Sequence, residues 1–118
     1  MQLLFLVDDT DSILTLGASV LEEEFRVLTM SSAVKMFTIL EKKQPDLIVM
    51  DIEMPEMNGY EAIAKLKENP EWKDIPVLFL TGFIDETVQN RIKELGAVGV
   101  LGKQEISTEL LSKVKDLI

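Results

Sequence analysis

Five short apolar runs set the limits on what this chain can fold into: QLLFLV (2–7), FRVLT (25–29), DLIVMD (46–51), PVLFL (76–80) and VGVL (98–101). Each is too short for a packed helix, and most lack polar alternation, which marks strands covered on both faces. The intervening stretches carry helical spacing instead. Ile13, Leu16, Val20 and Leu21 form the first set, Ala33, Phe37 and Leu40 the second, and Ala62, Ile63 and Leu66 the third. Val88, Ile92 and Leu95 form a fourth, and Leu110, Leu111, Val114 and Leu117 a fifth. Steps of three and four residues place each set on one helix face. The punctuation agrees: Ser31 and Ser32, Asp85 and Ser107 stand where N-caps belong, Pro45 and Pro76 precede strands, and Gly96 follows a helix where a left-handed cap is wanted. Strict alternation of strand and helix predicts a parallel sheet with helices on both faces, a doubly wound α/β sandwich. With 118 residues, 47% of them hydrophobic, one domain over 1–118 is expected.

Charge narrows the function classes. A net charge of -9 opposes direct binding to nucleic acid or to an anionic membrane surface, both of which need a basic footprint. Metal ions and cationic partners suit it better. The chain has no cysteine, hence no disulfide framework, which is compatible with the cytoplasm. The early run Leu3 to Val7 is far short of the roughly 20 residues that span a bilayer. It lacks a basic flank and runs straight into Asp8 and Asp9, unlike a signal peptide. A cytoplasmic protein without membrane association is expected.

In doubly wound sheets the active crevice lies beyond the carboxyl ends of the strands. After the first strand come Asp8 and Asp9; the third ends at Asp51; the fourth runs into Thr81 and Gly82; Lys103 follows the fifth. Three carboxylates gathered at one edge raise one another's pKa unless a cation joins them. Oxygen ligands alone, in a chain without His or Cys, select a hard ion, with Mg²⁺ more natural than Zn²⁺. A compact ammonium and a hydroxyl beside such an ion suit an anion, and a phosphoryl group fits. Against this stand plainer readings. Asp8, Asp9 and Asp11 would serve as acids complementing a helix N-terminus, Met50, Met54 and Met57 as packing residues, and Trp72 as a cover for the end of the sheet.

The segments VDD (7–9), MDIEMPEMNGYE (50–61) and FLTG (79–82), with Lys103, resemble the receiver domain of two-component response regulators, over essentially the whole chain. The resemblance implies a flavodoxin-like sheet of five parallel strands in order 2-1-3-4-5 with five helices. It implies that Asp51 is the phosphoacceptor, that Asp8, Asp9, Asp51 and the backbone carbonyl of Glu53 hold Mg²⁺, and that Thr81 and Lys103 contact the phosphoryl oxygens. Gly82 and Val100 would belong to the switch, while Glu53 and Phe83, two positions beyond Asp51 and Thr81, would flank the water path and tune phosphoryl lifetime. Such a domain is a phosphoacceptor that assists its own phosphorylation and dephosphorylation rather than a turnover enzyme. The donor would be a separate histidine kinase or phosphotransfer protein, since this chain has no histidine. Output would run through the face of the fourth helix, fifth strand and fifth helix, to an output domain, a partner protein or a second copy in a phosphorylation-dependent homodimer.

Two positions depart from the family pattern. Gln104 follows Lys103 where the family has a cis proline. A cis bond to any other residue costs about 2.5–4 kcal/mol, so a trans bond and an altered loop are expected. Val100 stands at the aromatic switch position, three residues before the lysine, which puts the output in question more than the chemistry. Two rivals share parts of this design. A flavin carrier wants hydroxyls and amides after the first strand, where this chain has DDTDS; an aspartate phosphatase wants its nucleophile on the first strand rather than the third. The remaining alternative is a receiver-shaped interaction module that is never phosphorylated.

Overall fold

A computed structural model describes residues 1–118. The elements follow in strict alternation: β1 (Leu3–Val7), α1 (Asp11–Leu21), β2 (Arg26–Met30), α2 (Ala33–Leu40), β3 (Leu47–Asp51), α3 (Gly59–Lys67), β4 (Val77–Thr81), α4 (Glu86–Leu95), β5 (Gly99–Gly102) and α5 (Ile106–Leu117). The strands form one parallel sheet in the order β2-β1-β3-β4-β5, as expected. β1, β3 and β4 are buried along their whole length, which explains their unbroken apolar sequence, whereas the edge strand β2 is half exposed.

Side chains alternate along a strand, and the two faces collect two cores. Leu3, Phe5 and Val7, with Ile48, Met50, Val77 and Phe79, pack under α2, α3 and α4. Leu4 and Leu6, with Leu47, Val49, Leu78 and Leu80, pack under α1 and α5. Continued past the strand ends, the same parity sends Asp8 and Asp51 toward the α1/α5 side, the side on which Leu101 packs two residues before Lys103. Thr81, in step with Val77 and Phe79, belongs to the other side.

The helix boundaries have local causes. Ser32 accepts from Lys35 N and Asp85 from Val88 N, so both are the expected N-caps. Gly96 ends α4 at φ 80. Ser107 is not a cap: Lys103–Glu105 form a 3-10 turn that runs directly into α5 at Ile106, so Ser107 lies inside the helix. Leu16 is also not a core residue. α1 is apolar on more than one face, and Gly17, where a Cβ would sit 2.7 Å from Leu6 Cδ2, decides which face meets the sheet; Leu16 is left exposed. Trp72 packs on Phe37 of α2, ring centroids 5.6 Å apart, with its indole N–H buried and unpartnered. No helix is long and apolar enough to cross a membrane.

Candidate functional site

β1, β3 and β5 each end in, or lead directly into, a residue of one cluster. Asp8 is fully buried and Asp51 nearly so; Asp9 beside them is exposed. One carboxylate oxygen from each of Asp8, Asp9 and Asp51 lies within 4.8 Å of the others. The Lys103 ammonium bridges two of them, 3.1 Å from Asp8 Oδ2 and 3.2 Å from Asp51 Oδ2. The remaining oxygens are held by the backbone: Thr10 N donates to Asp8 Oδ1 at 2.9 Å and Glu53 N to Asp51 Oδ1 at 3.3 Å.

Electrostatics follow from this crowding. Burial, and then the neighbouring Asp8 carboxylate, push Asp51 up to about 6, with Lys103 and the Glu53 amide offsetting part of the rise. Burial alone would lower Lys103, but Asp8 and Asp51 outweigh it and its pKa is raised. One lysine therefore faces three acids, two of them out of water. Asp8 Oδ2, buried and facing the ammonium, accepts no well-angled hydrogen bond. Three carboxylates with one ammonium between two of them leave excess negative charge on converging oxygen ligands, which fits a small hard cation, so the residues present suit Mg²⁺.

The β3–α3 loop is tightly tied to this cluster. Asn58 and Glu61 form a reciprocal capping box, each side chain bonded to the other's backbone N–H. Gly59 donates to Ile52 O at 2.8 Å. A Cβ at Gly59 would lie 2.6 Å from Asp51 O and 2.8 Å from Phe79 Cε1, so only glycine lets α3 start against the end of β3. Between them Met57 N bonds to Pro55 O at 2.8 Å around Glu56, whose φ of 70 is a left-handed conformation that a non-glycine residue adopts at a cost of about 1–2 kcal/mol.

Thr81 ends β4 one residue past Leu80, the register partner of Asp51. It is buried, yet its hydroxyl donates to Phe83 O at 3.2 Å and so serves the β4–α4 loop rather than the carboxylates. Thr81, Glu53 and Phe83 line an open crevice of about 550 Å³ with Ile52, Tyr60 and Val88. Phe83 is 69% exposed, and Gly82 has open space where a side chain would be. Val100 is half-buried opposite Phe79 on β5, on the other face of the sheet from the Asp8 and Asp51 side chains. No peptide bond is cis, so Lys103–Gln104 is trans, as expected.

Sequence reasoning thus anticipated the meeting of Asp8, Asp9, Asp51 and Lys103, with Thr81 at the adjacent strand end. It did not single out Tyr60 or Arg91. The Tyr60 ring meets Phe79 edge-on with centroids 5.8 Å apart, and the Arg91 guanidinium lies 5.5 Å from the Tyr60 centroid. A tyrosine on an amphipathic helix gives no signal of such a role until β4 and α4 are placed around it.

Residues 4–115 match the family described as the response regulator receiver domain. RcaC of Microchaete diplosiphon is 33% identical over 113 residues, covering 96% of this chain and 17% of RcaC. Response regulator Rre1 of Synechocystis is 30% identical, over 98% of this chain and 51% of Rre1. Among solved structures, chemotaxis protein CheY4 of Vibrio cholerae superposes with a TM-score of 0.93 at 26% identity, over 100% of this chain and 99% of that one. The signal receiver domain of a histidine kinase from Syntrophus aciditrophicus reaches 0.88 at 30% identity, over 99% and 89%. Three of the curated relatives are much longer than the match: this chain spans 17%, 25% and 44% of their lengths.

Proposed function

The chain belongs to the response regulator receiver domain family of two-component signalling, and from that premise we propose that it is a phosphorylation-dependent switch whose phosphoacceptor is Asp51. One observation carries the reading: the Asp51 carboxylate, fixed at the end of a buried strand, shares Lys103 with Asp8 inside a cluster of three acids. A carboxylate oxygen of Asp51 attacks the phosphorus of a phosphohistidine on a separate kinase or phosphotransfer protein. The phosphorus–nitrogen bond breaks, and the imidazole leaves with the electron pair. Asp51 acts ionised, which its pKa of about 6 allows at neutral pH.

Lys103, released from Asp51 Oδ2 by the transfer, follows the new charge onto the phosphoryl oxygens, and Thr81 turns its hydroxyl from Phe83 toward the same group. Asp8, Asp9, Asp51 and the Glu53 backbone carbonyl hold Mg²⁺, which when bound neutralises charge on the transferring group. Glu53 and Phe83, at the exposed rim, meter access of the water that hydrolyses the acyl phosphate. Residues 1–118 form the whole receiver unit and act in the cytoplasm. The signal passes to an output domain, a partner protein or a second copy on the α4/β5/α5 face.

Intact-mass spectrometry tests the reading. With acetyl phosphate and Mg²⁺ the wild type gains one phosphoryl mass and Asp51→Asn gains none. A wild type that stays unmodified under donor excess would leave only an interaction module.

A further inference from the structure

The contacts that leave the phosphoacceptor loop converge on one side chain outside the carboxylate cluster. Gly59 abuts both the Asp51 carbonyl and the Phe79 ring, and the next residue, Tyr60, meets that same ring edge-on. On the other side of Tyr60 stands Arg91 of α4. Tyr60 also walls the crevice shared with Thr81, Phe83 and Val88, and a second groove along α4 with Thr87, Asn90 and Glu94. Burial raises the Tyr60 phenol above its usual range; Arg91 offsets this in part, while Asp85 and Glu53, from the two loops that frame the crevice, add to it. One ring therefore touches the strand-end glycine's packing partner, the wall of the Thr81 crevice and α4.

From this juxtaposition we propose that Tyr60 is a positioning residue that ties the Asp51 strand end and the Thr81 loop to α4 through Phe79 and Arg91. The inference rests on the phosphoacceptor reading for its trigger but not for its contacts. The start of α3 is tied to the end of β3, because Gly59 N bonds to Ile52 O at 2.8 Å and the glycine packs where a Cβ would meet Asp51 O. A displacement at the end of β3 therefore moves Tyr60 with it. The ring is stiff, and its contact with a guanidinium is directional, so the motion is delivered at Arg91 rather than dispersed in the crevice. Val100, β-branched and without a ring, offers no comparable lever on the β5 side.

Amide chemical shifts with and without beryllofluoride and Mg²⁺ test this. In the wild type, beryllofluoride moves Ile52, Glu53 and Gly82 and also Glu86 to Leu95. In Tyr60→Leu the first group moves as before and the α4 response falls to less than half; Tyr60→Phe, which keeps the ring, retains it. Arg91→Gln, at an exposed position whose ion pair is the solvated 3.8 Å contact with Glu94, gives the same loss as Tyr60→Leu. An undiminished α4 response in either Tyr60→Leu or Arg91→Gln overturns the inference. If Ile52, Glu53 and Gly82 do not move in the wild type, the phosphoacceptor reading fails instead. The shifts that Asp51→Asn itself induces across α4 then decide the coupling: halving on addition of Arg91→Gln supports it, and no change overturns it.

Discussion

Asp51→Asn removes a buried like charge and stabilises the domain when metal is withheld. The ordinary carboxyl value of 3.8 rises to about 6 in the fold, first through burial and then through Asp8. At about 1.4 kcal/mol per pH unit, that difference amounts to about 3 kcal/mol of strain in the ionised form. The asparagine amide has one acceptor oxygen where the carboxylate offers one to Lys103 and one to Glu53 N, so one of those contacts is lost and we take roughly half, about 1.5 kcal/mol, as the gain. The sign follows from proton binding. Because the folded state holds the proton more tightly, the Asp51 contribution to stability is fully present below pH 3.8 and is lost as pH rises to about 6. The advantage of asparagine therefore opens across the same window. Lys103 keeps Asp8 as a partner at 3.1 Å, so the substitution leaves no orphaned ammonium. Urea denaturation in chelator, followed by Trp72 fluorescence at pH 8 and at pH 4, measures the gap. The reasoning is refuted if Asp51→Asn is no more stable than wild type at pH 8, or if its advantage is as large at pH 4.

Mg²⁺ at a hundredfold excess over its Kd raises wild-type stability by about 2.7 kcal/mol, and Asp51→Asn gains clearly less because one of the three carboxylates is gone; equal gains by thermal denaturation would place the ion elsewhere. Gly59→Ala drives a methyl into Asp51 O and Phe79, and overpacking of this kind costs about 1–3 kcal/mol. Denaturant midpoints check it, and a neutral result would mean that α3 lifts freely from β3. Beryllofluoride perturbs the amides of Thr81 to Ile84 and Lys103 to Ile106 more than Val100, whose side chain packs on the other face of the sheet from Asp8 and Asp51. A dominant response at Val100 with a quiet Thr81 loop would contradict this.

Much of the architecture could be read before any coordinates, because a buried parallel sheet imposes unbroken apolar runs and its helices impose three- and four-residue spacing. Period-two parity even separates Asp8, Asp51 and Lys103 from Thr81 once the strands are named. The failures have equally physical origins. Leu16 was misplaced because α1 is apolar on more than one side, and only the close approach of Gly17 to Leu6 selects its inner face. Ser107 lost its capping role to a 3-10 turn, which local propensity does not announce. Glu56 at positive φ carries no sequence signal, since its conformation is imposed by the bond between Met57 and Pro55 around it. Tyr60 and Arg91 lie 31 positions apart on neighbouring helices, a pairing that only the packing of α3 beside α4 reveals.

The strand order has a consequence for how the site comes into being. Asp8 and Asp51 are 43 positions apart, and Lys103 stands 95 beyond Asp8, so no local segment contains the cluster. Closing such long loops is among the last and slowest entropic steps of folding. Only the adjacent pair Asp8–Asp9 exists in the unfolded chain, and it is a poor trap for a hydrated divalent ion. Metal capture is therefore a report on sheet completion: it cannot precede the docking of β3 beside β1, and Lys103 joins only when β5 has sealed the far edge. β2 supplies no residue to the cluster and lies at the opposite edge. Yet Met30 O at its end accepts from Asp8 N at 3.1 Å, so the docking of that edge strand also fixes the backbone that carries the buried carboxylate.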